Sequence, residues 1–146
     1  MTSLHTTIRF QPDALGVRQA LDEGMSRCRG LVPVGREDRL GNVQIVLAEA
    51  LNNVAEHGFA ELPLTEARLD IALNRDTLTV SICDKGHEMP GLRVPAPKHH
   101  DLNGDVQDLP EGGFGWMLIH ELTSRIDYAR VDDENHLTLT FVLALD

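Results

Sequence analysis

The chain has 146 residues, of which 42% are hydrophobic and 25% are charged, and its formal net charge is −10. This length and composition indicate a single domain over residues 1–146 that can bury its own core without disulfides. The acidic balance argues against non-specific binding to nucleic acid or to an anionic membrane, because both surfaces attract basic proteins.

The amino-terminal half predicts one strand followed by two helices. Residues 6–10 alternate weakly in polarity, which indicates an edge strand. Asp13 is a candidate N-cap for a helix that reaches Cys28, and a second helix is predicted over residues 36–57, with Gly58 as its stop. The residues expected to be buried are Leu15, Val17, Leu21, Met25 and Cys28 in the first helix and Leu40, Val43, Leu47, Leu51 and Val54 in the second.

The carboxy-terminal half predicts two hairpins separated by a long loop and a short helix. Strands are expected over residues 68–73 and 77–83, joined by a turn at 74–76, and over 125–131 and 136–143, joined by a turn at 132–135. Between them, residues 86–111 hold four prolines and read as a lid over a ligand, and residues 115–123 read as a helix. The predicted fold is an α+β two-layer sandwich, a mostly antiparallel mixed sheet with helices on one face.

Three polar side chains on the second predicted helix are spaced by four residues. Glu49, Asn53 and His57 therefore share one helical face, offset from the apolar stripe. A solvated polar surface has the same spacing. The functional interpretation is chemical, because an amide oxygen can bind Mg²⁺ and a carboxylate one turn away can deprotonate a nucleophile.

A second cluster, Asp84-Lys85-Gly86, follows a largely apolar strand. A carboxylate at a strand end can accept a hydrogen bond from the exocyclic amine of adenine, and Gly86 permits close approach of the backbone. An ordinary turn containing aspartate and glycine has the same composition.

The third cluster is a glycine-dense turn, residues 112–115, that runs into an apolar helix. Glycines there let backbone N–H groups approach a phosphate, and the helix N-terminus behind them favours negative charge. Phe114 and Trp116 are interpreted as packing residues that anchor this turn rather than as a platform for base stacking.

Other site chemistries lack their signatures in this sequence. The seven histidines include no pair spaced for a helical metal site, and Cys28 and Cys83 lie too far apart to predict a disulfide or a cysteine-based zinc site. There is no phosphate-binding loop of the P-loop type and no nucleophile elbow. The first ten residues do not read as a secretory leader, and no apolar run reaches the ~20 residues that span a membrane. A cytoplasmic location is expected.

The three clusters, in this order, resemble the GHKL-type ATP-binding fold shared by DNA gyrase, heat-shock chaperones, sensor histidine kinases and mismatch-repair ATPases. Residues 48–58 are close to the N-box of that family, residues 80–86 match its first glycine box, and residues 111–119 match its second. Residues 137–140 fit the final strand. Within this fold, the chain looks most like the anti-sigma-factor serine kinases of bacterial partner-switching systems.

The resemblance implies a role for each cluster. Glu49 is expected to be the general base, Asn53 to hold Mg²⁺ at the ATP phosphates, and Asp84 to bind the adenine amino group. The glycines of the second box are expected to bring backbone amides to the phosphates. The residues assigned to the nucleotide in this way are Asn53, His57, Asp84, Gly86, Gly112, Gly113, Phe114, Gly115, Trp116 and Thr138.

The implied activity is an ATP- and Mg²⁺-dependent serine kinase that phosphorylates a STAS-type anti-anti-sigma protein, sequesters a sigma factor and forms a homodimer. One position departs from the family pattern, since Glu88 stands where a second glycine is frequent. A carboxylate there keeps open an alternative, a module that binds a protein partner without catalysis. The ATP-binding half of a split histidine kinase is a further alternative.

Overall fold

Five strands form one sheet in the order β1-β2-β3-β5-β4. The structure is a computed structural model that describes residues 4–33, 35–96 and 113–143. The strands are β1 Leu4–Phe10, β2 Ala67–Asn74, β3 Thr77–Asp84, β4 Arg125–Val131 and β5 Glu134–Val142. The helices are α1 Ala14–Leu31, α2 Leu40–Asn53 and α3 Gly113–Leu122.

All four strand pairs in this sheet are antiparallel. The α+β architecture with an edge strand at β1 is as predicted, but the expectation of a mixed sheet is wrong. Two helices separate β1 from β2, and an antiparallel helix pair returns the chain to the end of the sheet where it left. A parallel pair would need a single crossover element instead.

The two hairpins turn more tightly than the sequence predicts. The turn between β4 and β5 consists of Asp132 and Asp133, with φ angles of 52° and 60°, a left-handed conformation that aspartate tolerates better than most residues. The turn between β2 and β3 consists of Arg75 and Asp76. Because each turn has two residues, β5 begins at Glu134, two residues before the predicted position.

Helix α1 packs against the sheet through small and apolar residues. Asp13 caps it as predicted, accepting a hydrogen bond from the Gly16 backbone N at 2.7 Å. The expectation that Leu15 is buried is wrong, since its exposed fraction is 64%. Leu15 precedes the buried Val17 by two residues, which places it about 200° around the helix axis, away from the sheet.

Helix α2 carries the predicted buried stripe through Leu51, and Val54 is partly buried. The predicted helix over residues 36–57 is divided into three segments, a 3₁₀ turn at Glu37–Arg39, α2 itself and a π-helical turn at Val54–Gly58. A π turn widens the helix by one residue and is frequent at functional sites. Here it forms the end of α2 that lies nearest the strand end of β3.

The two faces of the sheet differ in chemistry. The face toward the helices is apolar, and its side chains join those of α1, α2 and α3 in one core. In the described part of the chain, no helix covers the opposite face, which we call the open face. Its residues include His5, Thr7, Arg68, Asp70, Ser81, Cys83, His136 and Thr138. Among the described helices, none is long and apolar enough to cross a membrane.

Candidate nucleotide site

A cavity of about 440 Å³ opens between the end of α2, the ends of β3 and β5, and the segment that follows β3. Ligand pockets commonly have volumes of about 300–1,000 Å³. Its lining is mainly apolar with a few polar groups, and consists of Ala50, Asn53, Val54, His57, Gly58, Asp84, His87, Glu88, Met89, Pro90, Pro95, Trp116, Asn135 and Leu137. The first two clusters contribute Asn53, His57 and Asp84 to this lining, and Trp116 directly follows the glycine turn of the third.

The glycine turn and the polar face of α2 meet at Gly115. A Cβ atom at this position would lie 2.8 Å from Glu49 Oε2 and 4.0 Å from Asn53 Oδ1. Glycine is therefore what lets the first turn of α3 approach the Glu49 carboxylate so closely. This contact joins the first and third clusters through Glu49 and Gly115, which lie 66 residues apart in sequence.

Asn53 presents a buried polar atom to this region. Its Nδ2 is buried, and it has no hydrogen-bond partner among the described residues. An orphaned amide in a protein interior costs free energy, so such a group usually has a ligand or water partner. The amide group of Asn53 therefore suits a polar ligand in the cavity, and its oxygen is of the kind that Mg²⁺ accepts.

Asp84 is the buried acidic group of the cavity, and its side chain is held in place from two directions. Its Oδ1 accepts hydrogen bonds from the Gly86 backbone N at 2.9 Å and from Asn135 Nδ2 at 3.0 Å. Burial raises the pKa of the Asp84 carboxyl, while these two hydrogen bonds and the nearby Arg130 oppose that increase. In the described part of the chain Oδ2 accepts no such bond, which leaves an acceptor for a ligand amine.

Asn135 is the residue that orients Asp84, and no sequence motif predicted this role. Its Oδ1 accepts hydrogen bonds from Tyr128 Oη at 2.5 Å and from Arg130 Nη1 at 3.0 Å. Its Nδ2 donates to the His87 backbone O at 2.8 Å as well as to Asp84. Asn135 was interpreted as part of a turn, but it pairs directly with Asp84 in the register of β3 and β5. A two-residue turn would have placed Asn135 inside β5, but its pairing with Asp84 depends on the register between β3 and β5, which no turn joins.

Gly86 permits a close approach between two backbone segments of the protein rather than between the backbone and a ligand. A Cβ atom there would lie 2.3 Å from the Gly58 carbonyl O. The His87 backbone N donates to the same carbonyl at 2.6 Å, so the segment after β3 is fastened to the π turn of α2. Gly86 therefore shapes the wall of the cavity rather than meeting the cavity directly.

The remaining predicted residues divide into three groups. His57 and Trp116 line the cavity. Gly113 and Phe114 begin α3, whereas Gly112 lies outside the described residues. Thr138 is not brought to the cavity, because its side chain lies on the open face, where its Oγ1 is 3.2 Å from Ser81 Oγ.

The described part of the predicted lid, residues 86–96, forms one wall of the cavity. Met89, Pro90 and Pro95 contribute apolar surface, and Glu88 is exposed at the rim. The Met89 backbone N donates to Tyr128 Oη at 3.0 Å, which ties this wall to β4. Residues 97–111 of the predicted lid lie outside the described residues.

Comparison with known proteins agrees with this geometry. The sequence pattern of the histidine kinase-like ATPase domain matches residues 10–141, which include the three helices, strands β2 to β4 and all of β5 except its last residue, but only the last residue of β1. The chain belongs to the histidine kinase-like ATPase family. The resemblance inferred from the three clusters is thereby confirmed at the level of family and fold.

Relatives of this histidine kinase-like ATPase include proteins named as kinases. It is 30% identical over 92 residues to a serine/threonine-protein kinase, BtrW, of Bordetella bronchiseptica, an alignment that covers 63% of each chain. It is 28% identical over 90 residues to the serine-protein kinase RsbW of Bacillus mycoides, covering 61% of this chain and 56% of the relative. With RsbW of Halalkalibacterium halodurans the identity is 25% over 127 residues, covering 86% of this chain and 74% of the relative.

Each of these three relatives is named as a serine or serine/threonine kinase. The matched part of this chain spans about three fifths of the length of the first two relatives. Their names describe those proteins.

Proposed function

We propose that this chain is an ATP- and Mg²⁺-dependent protein serine kinase. Its substrate is a serine on a STAS-type anti-anti-sigma protein, and it also sequesters a sigma factor. The observation that carries the proposal is the placement of Glu49 and Asn53 together, one helical turn apart, where Gly115 brings the first turn of α3 against them. The kinase names of the relatives point the same way.

The cavity residues have the chemistry that this nucleotide needs. The Oδ2 atom of Asp84 can accept the adenine amino hydrogen while Asn135 and Gly86 keep Oδ1 in place. The amide group of Asn53 has a buried donor without a partner among the described residues, and its oxygen is a ligand type for Mg²⁺. When bound, ATP would supply the phosphoryl group, and Mg²⁺ would neutralise charge on the phosphate oxygens.

Glu49 acts on the protein substrate rather than on the nucleotide. Its carboxylate accepts the proton of the substrate serine hydroxyl, which makes the oxygen a better nucleophile. Phosphoryl transfer otherwise depends mostly on positioning and on neutralising charge. Gly115 contributes to that positioning, because its missing side chain leaves room for the Glu49 carboxylate against α3.

The test is phosphorylation of a purified STAS-domain protein with radiolabelled ATP. Glu49→Gln keeps the size of the side chain but removes the base, and we expect transfer to fall by about 10²-fold or more while nucleotide binding persists. Glu56→Gln, on an exposed residue of the π turn, is the control and should transfer normally. Undiminished transfer by Glu49→Gln would show that Glu49 is not the base.

The same experiment separates the two alternative functions. Complex formation with the partner but no transfer of label would favour a sequestration module, for which the carboxylate of Glu88 at the rim of the cavity is the supporting observation. In that case Glu88→Gly should increase the affinity for ATP. Label that is lost in acid would instead indicate a phosphohistidine and the split histidine kinase.

A further inference from the structure

The open face carries a cluster of potential metal ligands at the ends of β3 and β5. One ligand atom from each of Cys83, Glu134 and His136 lies within 4.8 Å of the other two. Cys83 Sγ is 3.1 Å from His136 Nδ1, and His136 Nε2 is 3.4 Å from Glu134 Oε1. The cluster lies across the sheet from the nucleotide cavity, and neither the cavity nor the proposed kinase reaction uses it.

We propose that Cys83, Glu134 and His136 form a binding site for Zn²⁺. Thiolate, imidazole and carboxylate are the three ligand types that zinc takes in proteins, and three protein ligands leave a fourth tetrahedral position for water. The sulfur ligand disfavours Mg²⁺ and Ca²⁺, which prefer oxygen. The Cys83 proton is released when the sulfur binds the metal.

One imidazole nitrogen binds the ion, so the His136 and Glu134 side chains must turn to bring Cys83 Sγ, a single ring nitrogen and a Glu134 oxygen, now within 4.8 Å of one another, around it. Ligand atoms at about 2.0–2.3 Å from a tetrahedral ion lie about 3.3–3.7 Å from one another. The side chains of His136 and Glu134 are 35% and 24% exposed, so each has room to move and the ion has a path from solvent. Cys83 is buried, which gives the site one ligand with a well-defined position.

Charge balance also favours a divalent cation. The thiolate of Cys83 and the carboxylate of Glu134 together neutralise one Zn²⁺. Arg68 lies beside the cluster, where its Nη2 donates to Cys83 Sγ at 3.3 Å, but its Nε pairs with Asp70 Oδ2 at 2.9 Å. Asp70 therefore balances the charge of Arg68. The hydrogen bond that Arg68 donates to Cys83 can remain when the sulfur binds the metal.

The ion would fasten β3 to β5 beside the nucleotide cavity. Cys83 and His136 are directly paired across these strands, and the next pair in the register is Asp84 and Asn135. A metal bound on the open face would therefore hold the ends of β3 and β5 together. The opposite face of these strand ends carries Asp84, the carboxylate of the cavity. We expect Zn²⁺ to raise the thermal unfolding midpoint of the nucleotide-free protein, because it binds only the folded chain.

The test uses the full chain freed of metal, with Co²⁺ and Zn²⁺ as probes and no nucleotide present. We expect one Co²⁺ to produce a sulfur-to-metal charge-transfer band that Zn²⁺ abolishes. Cys83→Ser should lose the band, and His136→Gln or Glu134→Gln should weaken metal binding by at least about tenfold. Two matched controls, Cys28→Ser in the core and His5→Gln elsewhere on the open face, should bind as the wild type does.

Two results would overturn the site. One is the absence of a sulfur band in the folded wild-type chain. The other is retention of wild-type zinc affinity by His136→Gln and Glu134→Gln. Both side chains are partly exposed, so these variants should fold and a loss of zinc affinity in them would report on the site. Because nucleotide and protein substrate are absent, the outcome is independent of whether the chain is a kinase.

Discussion

At the scale of single residues, Asp84 combines a functional position with a cost in stability. Burial disfavours its ionised form, and the hydrogen bonds from Asn135 and Gly86 only partly compensate, so the pKa of the carboxyl is raised. A charged group that the fold stabilises incompletely is typical of a ligand-binding site. Its direct consequence is a dependence of stability on pH.

The pH dependence has a definite sign. The Asp84 pKa lies above its ordinary value of 3.8 in the native state, so its protonated form stabilises the fold below that pH. This contribution is lost as the pH rises through the native pKa. The asparagine of Asp84→Asn does not ionise. The free energy of unfolding of this variant minus that of the wild type should therefore increase as the pH rises from below 3.8 towards neutral. Urea unfolding of both proteins across this range measures the difference, and a constant or shrinking difference would contradict it.

Gly86 gives a second prediction at this scale. Gly86→Ala places a Cβ atom 2.3 Å from the Gly58 carbonyl O, a backbone atom that cannot rotate away. We expect a loss of about 1–3 kcal/mol in the free energy of unfolding, the usual cost of overpacking. The control is Gly41→Ala in α2, where nothing lies within 4 Å of the new Cβ atom. That change should be neutral or should stabilise the protein by up to about 1 kcal/mol.

At the scale of elements, the site depends on how closely α2 and α3 approach each other. The approach occurs at Gly115, opposite the Glu49 carboxylate. The sequence predicted both helices and the polar face of α2, because helical periodicity is a local property. It could not predict their contact, since nothing in the spacing of either helix specifies its partner.

The contact between Gly115 and Glu49 can be tested by adding one methyl group at position 115. Gly115→Ala puts a Cβ atom 2.8 Å from Glu49 Oε2, and a flexible side chain will move rather than unfold the protein. We expect phosphoryl transfer to fall at least about tenfold, because misplacement of a catalytic group by an ångström is costly, while the unfolding midpoint changes little. Gly30→Ala in α1, with nothing within 4 Å of its Cβ atom, is the control for activity. Full activity in Gly115→Ala would mean that the position of Glu49 is unimportant.

For the strands too, the sequence predicts the elements themselves but not the contacts between residues that are distant in sequence. Alternation of polarity predicted all five strands, and it also placed Asp84 at a strand end. Thr138 was assigned to the nucleotide through family resemblance alone, and β5 directs its side chain to the open face. Asn135, three residues earlier, faces the cavity instead, because an odd separation in a strand reverses the face.

At the scale of the whole molecule, the cavity joins residues from both halves of the chain, so a ligand there should stabilise the entire fold. We expect MgATP to raise the thermal unfolding midpoint, with about 2.7 kcal/mol gained at a ligand concentration one hundred times Kd. Asn53→Ala and Asp84→Asn should reduce this shift, and excess EDTA should reduce it in the wild type. An equal shift with MgGTP would contradict the assignment of Asp84 to the adenine amine.

The helices, the strands, the three polar clusters and the family could be predicted from the amino-acid sequence, because these depend on periodicity and on residue type at short spacing. The contacts of each residue could be found only in the folded structure. It paired Asn135 with Asp84, placed Gly86 against Gly58, and put Thr138 on the open face. It also gathered Cys83, Glu134 and His136, which lie on two strands about fifty residues apart in sequence. Such contacts depend on strand register and helix packing, and both are determined by interactions between distant parts of the chain.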